Sequence, residues 1–424
     1  MLVRKQAHRA IVISLSSRAL VFLFQLFFNI FIPDHKSQDA FRAKVPRHVS
    51  FLDRVVGELF PGLNHWDSQH FIHVTEKGYD SEDKLVFLPL FPLSLRVPAH
   101  LIHCLSGNYF NTHTSVILSG FVMNTAFFTL AAVAVYELTL LIFTDKRNKY
   151  AEEAVLWFSF NPASIFFSAT YSESLFSLLT FAGLSLLEAE YIIPASVLFA
   201  LSAMTRSNGL VNAGFIIYFF IRIIADTGRS RTYKVIMCVK IPLAVVLVIL
   251  PFYLYQKVYI PGNFCPEASF CSVMAGGSFL SIPYTHLQEK YWNQGFLRYW
   301  QWRQSHNFLI GLPIILLNMW SSFRYLTRIK DMLFHNKVTL NENRFWSHPR
   351  LVPYAVHVTF LAVYCLFFMH IQVAVRLISS SSPWIYWMAA ALETNSRRHD
   401  ITRYLFTSYF FMGIALFANG LTWT

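Results

Sequence analysis

The chain has 424 residues and a formal net charge of +12, with 55% hydrophobic but only 14% charged residues. A soluble domain carries about 25% charged residues, so the composition excludes a cytosolic globular enzyme, a disordered chain and a disulfide-built secreted scaffold. The basic residues fall in short clusters between apolar runs, a pattern that belongs to membrane topology rather than to nucleic-acid binding, and no nucleic-acid partner is expected.

Residues 1–9 carry Arg4, Lys5 and Arg9 and are followed by an apolar run at 10–32. The run is too long for a signal-peptide core, so a signal-anchor helix with a cytoplasmic N-terminus is expected. Residues 33–114 then form the first lumenal loop. Within it, 85–104 is apolar enough to span, yet Pro89, Pro92 and Pro98 interrupt it and Arg96 and His100 lie inside it. Lipid offers no partner for broken backbone hydrogen bonds, so this segment is placed at the lumenal interface. That choice leaves Lys146, Arg147 and Lys149 cytoplasmic.

Crossings are expected at 115–143, 150–168 and 174–189, with 169–173 as a lumenal turn. The apolar stretch 192–225 is cut by Arg206-Ser207-Asn208-Gly209, which predicts a broken helical hairpin entering from the cytoplasm. Residues 235–256 lead to a second lumenal loop at 257–305. Crossings at 307–326, 351–369, 371–392 and 404–421 complete the chain, with Lys337 and Arg344 cytoplasmic. Arg376 and the serines 379–382 make the first half of 371–392 polar. The whole reads as one integral membrane domain, 1–424, all-α and polytopic, with no internal repeat.

Cys104, Cys238 and Cys365 lie in or near apolar segments and are expected to pack. Cys265 and Cys271 share the second lumenal loop, where an oxidising compartment would let them pair, although spacing alone does not establish the geometry. No metal-ligand spacing, Walker loop or GxGxxG is present, so neither a metal nor a nucleotide cofactor is expected.

Candidate chemistry begins at Asn64-His65-Trp66-Asp67-Ser68-Gln69-His70-Phe71. A carboxylate at Asp67 suits general-base work on a sugar hydroxyl, and the Trp66 indole suits stacking on a sugar face. The same residues would also make an ordinary solvated acid beside an interfacial tryptophan. Glu173 stands at the mouth of a hairpin, either facing a wet cavity or ending a helix. Arg206 and Asn208 break an apolar stretch, where an arginine needs a phosphate or an acid such as Glu173. His370, Gln372 and Arg376 gather at a helix end and offer either a phosphate site or an interfacial anchor. Gln288, Glu289, Tyr291 and Trp292 mix groups common in carbohydrate sites, or else form a surface helix.

In order along the chain, these segments resemble the GPI mannosyltransferase 2 family. The matching pieces are HWDSQHF at 65–71, FLPLFPL at 87–93, NPASIFFSATYSESLFSLLTF at 161–181, RSNGLVNAGF at 206–215, LQEKYWNQGFLRY at 287–299 and MHIQVAVRLISSSSPWIYW at 369–387. The resemblance implies a GT-C type glycosyltransferase of the endoplasmic reticulum membrane with a lumenal site. It would transfer a second mannose, α1,6-linked, from dolichyl-phosphate-mannose to the mannosyl-glucosaminyl-acylphosphatidylinositol precursor. Asp67 would be the catalytic base of an inverting displacement. Trp66, His70, Arg96, Glu173, Arg206, Asn208, Glu289, His370, Gln372 and Arg376 would meet the substrates, with Arg376, Arg206 or Arg96 supplying charge to the phosphate. The expected partners are the two lipid-linked substrates and the membrane, with room for an accessory membrane subunit. The rivals are another dolichyl-phosphate-mannose-dependent step and a non-catalytic membrane subunit.

Overall fold

Apolar runs that lack a breaker become long helices. The computed structural model describes residues 2–35, 41–43, 49–107, 109–143, 147–276, 281–335, 345–392 and 396–423, and within these the regular structure is entirely helical. Lys146, Lys337 and Arg344 lie outside the described residues. Seven helical stretches are long and apolar enough to cross a membrane: Ala7–Phe31, Thr112–Ile142, Ser207–Ala225, Arg231–Phe264, Trp302–Asp331, Pro349–Phe368 and Arg397–Ala418. The chain is a multi-pass membrane protein.

Helix α1 is Leu2–Phe31. Three short helices follow it: α2 (Phe51–Leu59), α3 (Asp67–Lys77) and α4 (Leu90–Leu105). Ser50 and Asp53 close a capping box at the start of α2, satisfying two N–H groups that the first turn leaves free. The prolines of the 85–104 segment do not interrupt α4, contrary to expectation. Pro89 is its N-cap and Pro92 lies in its first turn, where no intrahelical N–H is needed, and the helix runs on through Pro98. At 16 residues α4 rises only about 24 Å, and its Leu95 carbonyl accepts from Ser119 of α5 (Thr112–Ile142) at 2.9 Å.

One expected crossing, 150–168, stops short. After α5, α6 (Arg147–Ser159) ends before Asn161-Pro162, and α7 (Glu173–Glu188) begins only after a connection at 160–172. The supposed lumenal turn is not at a surface: Thr170, Tyr171, Ser172 and Glu173 are all buried. Then α8 (Ile192–Thr205) ends at extended Arg206, and a single 3-10 segment at Ser207–Asn212 leads into α9 (Ala213–Ala225). This is the expected break. A Cβ on Gly209 would stand 2.4 Å from the Ala203 nitrogen, so only glycine lets the segment fold back on the α8 backbone.

The second half holds α10 (Arg231–Leu254), three short helices α11 (Ile260–Phe264), α12 (Cys271–Ala275) and α13 (Pro283–Trp292), then α14 (Ser305–His335) and α15 (Val352–Phe368). The expected crossing at 371–392 is two half-helices, α16 (Ala374–Ser381) and α17 (Trp384–Ala391), separated at Ser382-Pro383. Both are buried almost throughout. A proline at the second helix's N-cap removes a donor, and the buried serines re-satisfy the backbone, as Ser177 Oγ does for the Ser380 carbonyl at 2.8 Å. Helix α18 (Arg397–Ala418) closes the bundle beside α1.

One charge inside the first span escaped the sequence reading. Arg18 is 1% exposed, and no carboxylate among the described residues pairs with it. Its guanidinium instead donates to the carbonyls of Ser159 (3.1 Å) and Ser164 (2.7 Å) and to Ser168 Oγ (3.0 Å), and lies 3.8 Å over the Phe128 ring. The α6 break supplies carbonyls without helical partners, and Arg18 satisfies them.

Loops gather at both ends of the bundle. At one end the loop after α1 meets the segment between α10 and α14. Glu82 there accepts from Ser269 N (2.8 Å), Ser269 Oγ (3.1 Å), Tyr291 Oη (2.6 Å) and Lys290 Nζ. Burial opposes ionisation of Glu82, but these hydrogen bonds outweigh it and hold the carboxyl at about 2. Cys265 and Cys271 form a disulfide beside this clasp, with Cα atoms 5.8 Å apart. At the other end lie Arg9 with Glu152, and Arg229 with Glu190.

Candidate functional site

Asp67 opens α3, and the residue before it bends the chain sharply. Trp66 sits at φ 56°, ψ −124°, a conformation that costs on the order of 1–3 kcal/mol and persists only where its surroundings enforce it. Here its indole N–H donates to the Leu421 carbonyl at 3.2 Å, while the Asp67 backbone N–H donates to Tyr171 Oη at 3.0 Å. The turn is thus pinned between the C-terminal segment and the buried connection after α6.

The Asp67 carboxylate meets the first half-helix of the broken pair. Arg376 Nη2 lies 2.8 Å from Asp67 Oδ2, and its Nη1 lies 3.3 Å from Glu173 Oε1. Glu173, wholly buried, also pairs with Arg206, which donates to Ser172 Oγ at 3.3 Å. Asp67, Arg376, Glu173 and Arg206 therefore form one chain of alternating charge that sums to zero. The Arg376 guanidinium also stacks 5.2 Å from the Tyr171 ring and 5.4 Å from Phe166. Ion pairs this deep are held by geometry, since breaking one strands a charge.

The network forms the floor of a cavity of about 660 Å³. Trp66, Asp67, His70, Arg206, Asn208, His370, Gln372 and Arg376 all line it, so eight of the expected substrate-facing residues come together. Asn208 Nδ2 donates to Ser381 Oγ at 2.9 Å. His370 Nε2 lies 2.6 Å from the Trp292 carbonyl, and its ring stacks 4.4 Å from Tyr299. Tyr299 in turn donates to Gln372 at 3.0 Å. His70 lies between Phe41 and Phe87, each 4.5 Å from its ring centre, and burial lowers its pKa from the usual range.

Three expected contacts do not reach this cavity. Glu173 is absent from the cavity lining; it is wholly buried and pairs with Arg206 and Arg376. Arg96 turns to α3 and donates to the Thr75 carbonyl at 3.1 Å, ending that helix. Glu289 faces outward and pairs with Arg298 at 2.6 Å. Both carry charge within a segment rich in polar groups, and helical rotation turns each away from the cavity. In place of Glu289, its neighbours Gln288 and Trp292 line the cavity, with Tyr284 held by Ser207 at 2.9 Å. Tyr171, which orients both Asp67 and Arg376, carried no signal beyond its proximity to Glu173. The opposite wall is apolar, with Leu210, Phe252, Phe360 and Tyr364.

Such a cavity offers a carboxylate, cations next to it and aromatic walls beside a greasy flank. The chain is similar to known proteins over most of its length. A family model described as Mannosyltransferase (PIG-V) matches residues 8–424. The GPI alpha-1,6-mannosyltransferase 2 of Cricetulus griseus is 33% identical, over 90% of this chain and 83% of its own length. The GPI mannosyltransferase 2 of Drosophila pseudoobscura pseudoobscura is 31% identical, over 97% of this chain and 98% of its own. Among solved structures, the apo oligosaccharyltransferase of Archaeoglobus fulgidus aligns with 97% of this chain and 56% of that one, at 10% identity and a TM-score of 0.46.

Proposed function

The chain belongs to the mannosyltransferase (PIG-V) family, and on that premise we propose that it adds the second, α1,6-linked mannose to the GPI-anchor precursor. The donor in this reading is dolichyl-phosphate-mannose, and the acceptor is mannosyl-glucosaminyl-acylphosphatidylinositol. The observation that carries it is the Asp67–Arg376–Glu173–Arg206 chain on the floor of a cavity between apolar and aromatic walls.

The donor is β-linked to phosphate and the product α-linked, so a single displacement with inversion suffices. The acceptor 6-hydroxyl attacks the anomeric carbon, the bond from that carbon to the phosphate oxygen breaks, and dolichyl phosphate leaves with one more negative charge. Asp67 takes the hydroxyl proton. That protonation has an electrostatic corollary. The four-residue chain is neutral before reaction and carries +1 once Asp67 is protonated, so positive charge on Arg376 is released as the phosphate gains negative charge. Preorganised charge of this kind favours the transition state over the ground state. Trp66 and Trp292 provide faces for sugar rings, and the apolar wall suits lipid tails.

A lumenal site in the endoplasmic reticulum is part of the same reading. The end of the bundle away from the cavity carries Arg9, Arg229, Arg231, Lys234, Arg397 and Arg398, and short loops rich in Lys and Arg stay in the cytoplasm. The test is complementation of cells lacking the second GPI mannose, reading surface GPI-anchored protein together with the accumulated lipid precursor. Rescue by the wild-type chain but not by an equally expressed Asp67→Asn chain, with single-mannose precursor accumulating, supports the step and the base. Full rescue by Asp67→Asn overturns the base assignment, and a well-expressed wild type that never rescues overturns the step.

A further inference from the structure

At the end of α14 far from the cavity, three arginines converge without an acidic partner among the described residues. Trp320, Arg324 and Arg328 recur every fourth residue and so share one face of the helix. The Arg324 guanidinium lies 5.9 Å from the centre of Trp320 and 5.3 Å from that of Trp346. From the start of α18, Arg398 reaches within 5.4 Å of the same Trp320 ring. Arg398 and Arg328 both act on Arg324 as like charges. None of the three has a carboxylate partner among the described residues, and Asp400 is engaged by His399 (3.8 Å) and Arg403 (3.6 Å). The Arg328 Nε is buried with no hydrogen-bond partner.

Like charges held this close repel, and the indole faces offset only part of that repulsion. An anion among them would remove it and give the Arg328 donor an acceptor. Arg324 stands 17 positions after Asn307, which bonds Tyr299 at the cavity end. That is a rise of about 26 Å along the helix, close to the roughly 30 Å of a bilayer core. The cluster therefore lies at the opposite interface, where tryptophan favours headgroup depth. Leu316 and Phe323 of α14 are 57% and 74% exposed nearby, an apolar wall suited to acyl chains.

We infer that Arg324, Arg328, Arg398, Trp320 and Trp346 form a binding site for the phosphate of an anionic phospholipid in the leaflet opposite the catalytic cavity. The guanidiniums take the phosphodiester, the indoles hold the glycerol region at the interface, and the exposed apolar face of α14 receives the chains. A zwitterionic lipid would set its own cation against the arginines and bind less well. The site lies a membrane thickness from Asp67 and does not depend on which sugar step the cavity performs.

The full-length protein, purified and delipidated in a neutral detergent, would be titrated with phosphatidylglycerol, phosphatidylcholine or inorganic phosphate, with bound lipid counted by native mass spectrometry. Phosphatidylglycerol should occupy a site that Arg324→Gln with Arg398→Gln weakens, by about fivefold for each arginine removed. Arg324→Lys with Arg398→Lys, which keeps both charges, should restore most of it and serves as the folding control. Arg206→Gln, at the cavity, should leave it intact. Equal binding of phosphatidylglycerol and phosphatidylcholine, or no loss in the double glutamine variant, would overturn the site. Inorganic phosphate displacing the lipid at equal concentration would overturn the lipid as its occupant.

Discussion

Arg18 and Arg376 are both buried among membrane helices, at 1% and 8% exposure, yet they are satisfied in opposite ways. Arg18 is surrounded by neutral acceptors, the carbonyls and hydroxyls at the α6 break, inside a closed region of protein. Arg376 is held by two carboxylates, one of which lines the cavity. A neutral cage fixes a charge without offering it to anything else. A carboxylate partner can be protonated, and its arginine then has charge to give. In the function proposed above, this difference separates a structural arginine from a functional one where burial alone does not.

Replacing Arg376 by Gln should break this contrast most severely. Asp67 and Glu173 would be left facing each other across a neutral side chain, and mannosyl transfer should fall by at least about 10³-fold, with the thermal transition lowered as well. Asp67→Asn is isosteric and should cost about 10²- to 10⁴-fold in turnover. Its melting temperature should fall less than that of Arg376→Gln, because Arg376 keeps Glu173 as a partner, and turnover per folded molecule separates a chemical loss from a folding loss. Arg18→Lys keeps the charge and loses the planar fork, so stability should drop by about 2 kcal/mol while turnover per folded molecule is unchanged. Full stability with lost transfer in Arg18→Lys would erase the distinction between the two arginines.

The smallest effect belongs to the Glu82 clasp. Its carboxyl is held at about 2, below the roughly 4.3 of an unfolded glutamate. The depressed value means that its contribution is present above about pH 4.3 and is lost as pH falls toward 2. Hydrogen exchange at 283–292 should therefore quicken over that acid window, and Glu82→Gln should show the quickened exchange already at neutral pH. Unchanged exchange in the variant would show that the disulfide alone holds the loop.

What the amino-acid order disclosed follows from the range of the forces involved. Long apolar runs are local, so α5, α10, α15 and α18 lie where periodicity and composition put them. Polar groups that interrupt apolar stretches are also visible locally, which is how Arg206, Asn208 and Arg376 stood out. The half-helices were not legible, because 150–168 and 371–392 are apolar enough on average to pass for crossings. Only the packed interior shows that Asn161-Pro162 and Ser382-Pro383 stop them. Arg18 was hidden by the same averaging, one charge within a long apolar run. The rotation that turns Glu289 outward and Gln288 inward is set by contacts from other helices, beyond the reach of spacing.

The Asp67–Arg376 pair joins residues 309 positions apart. At roughly 5–20 residues per second of synthesis, the carboxylate precedes its arginine by about 15–60 seconds. Throughout that interval Asp67 has no cation from α16 to meet it. Only once residue 376 of 424 has been made can the charge chain close. The cavity floor is thus incomplete until α16 has been made, and the late helices set the moment of its assembly.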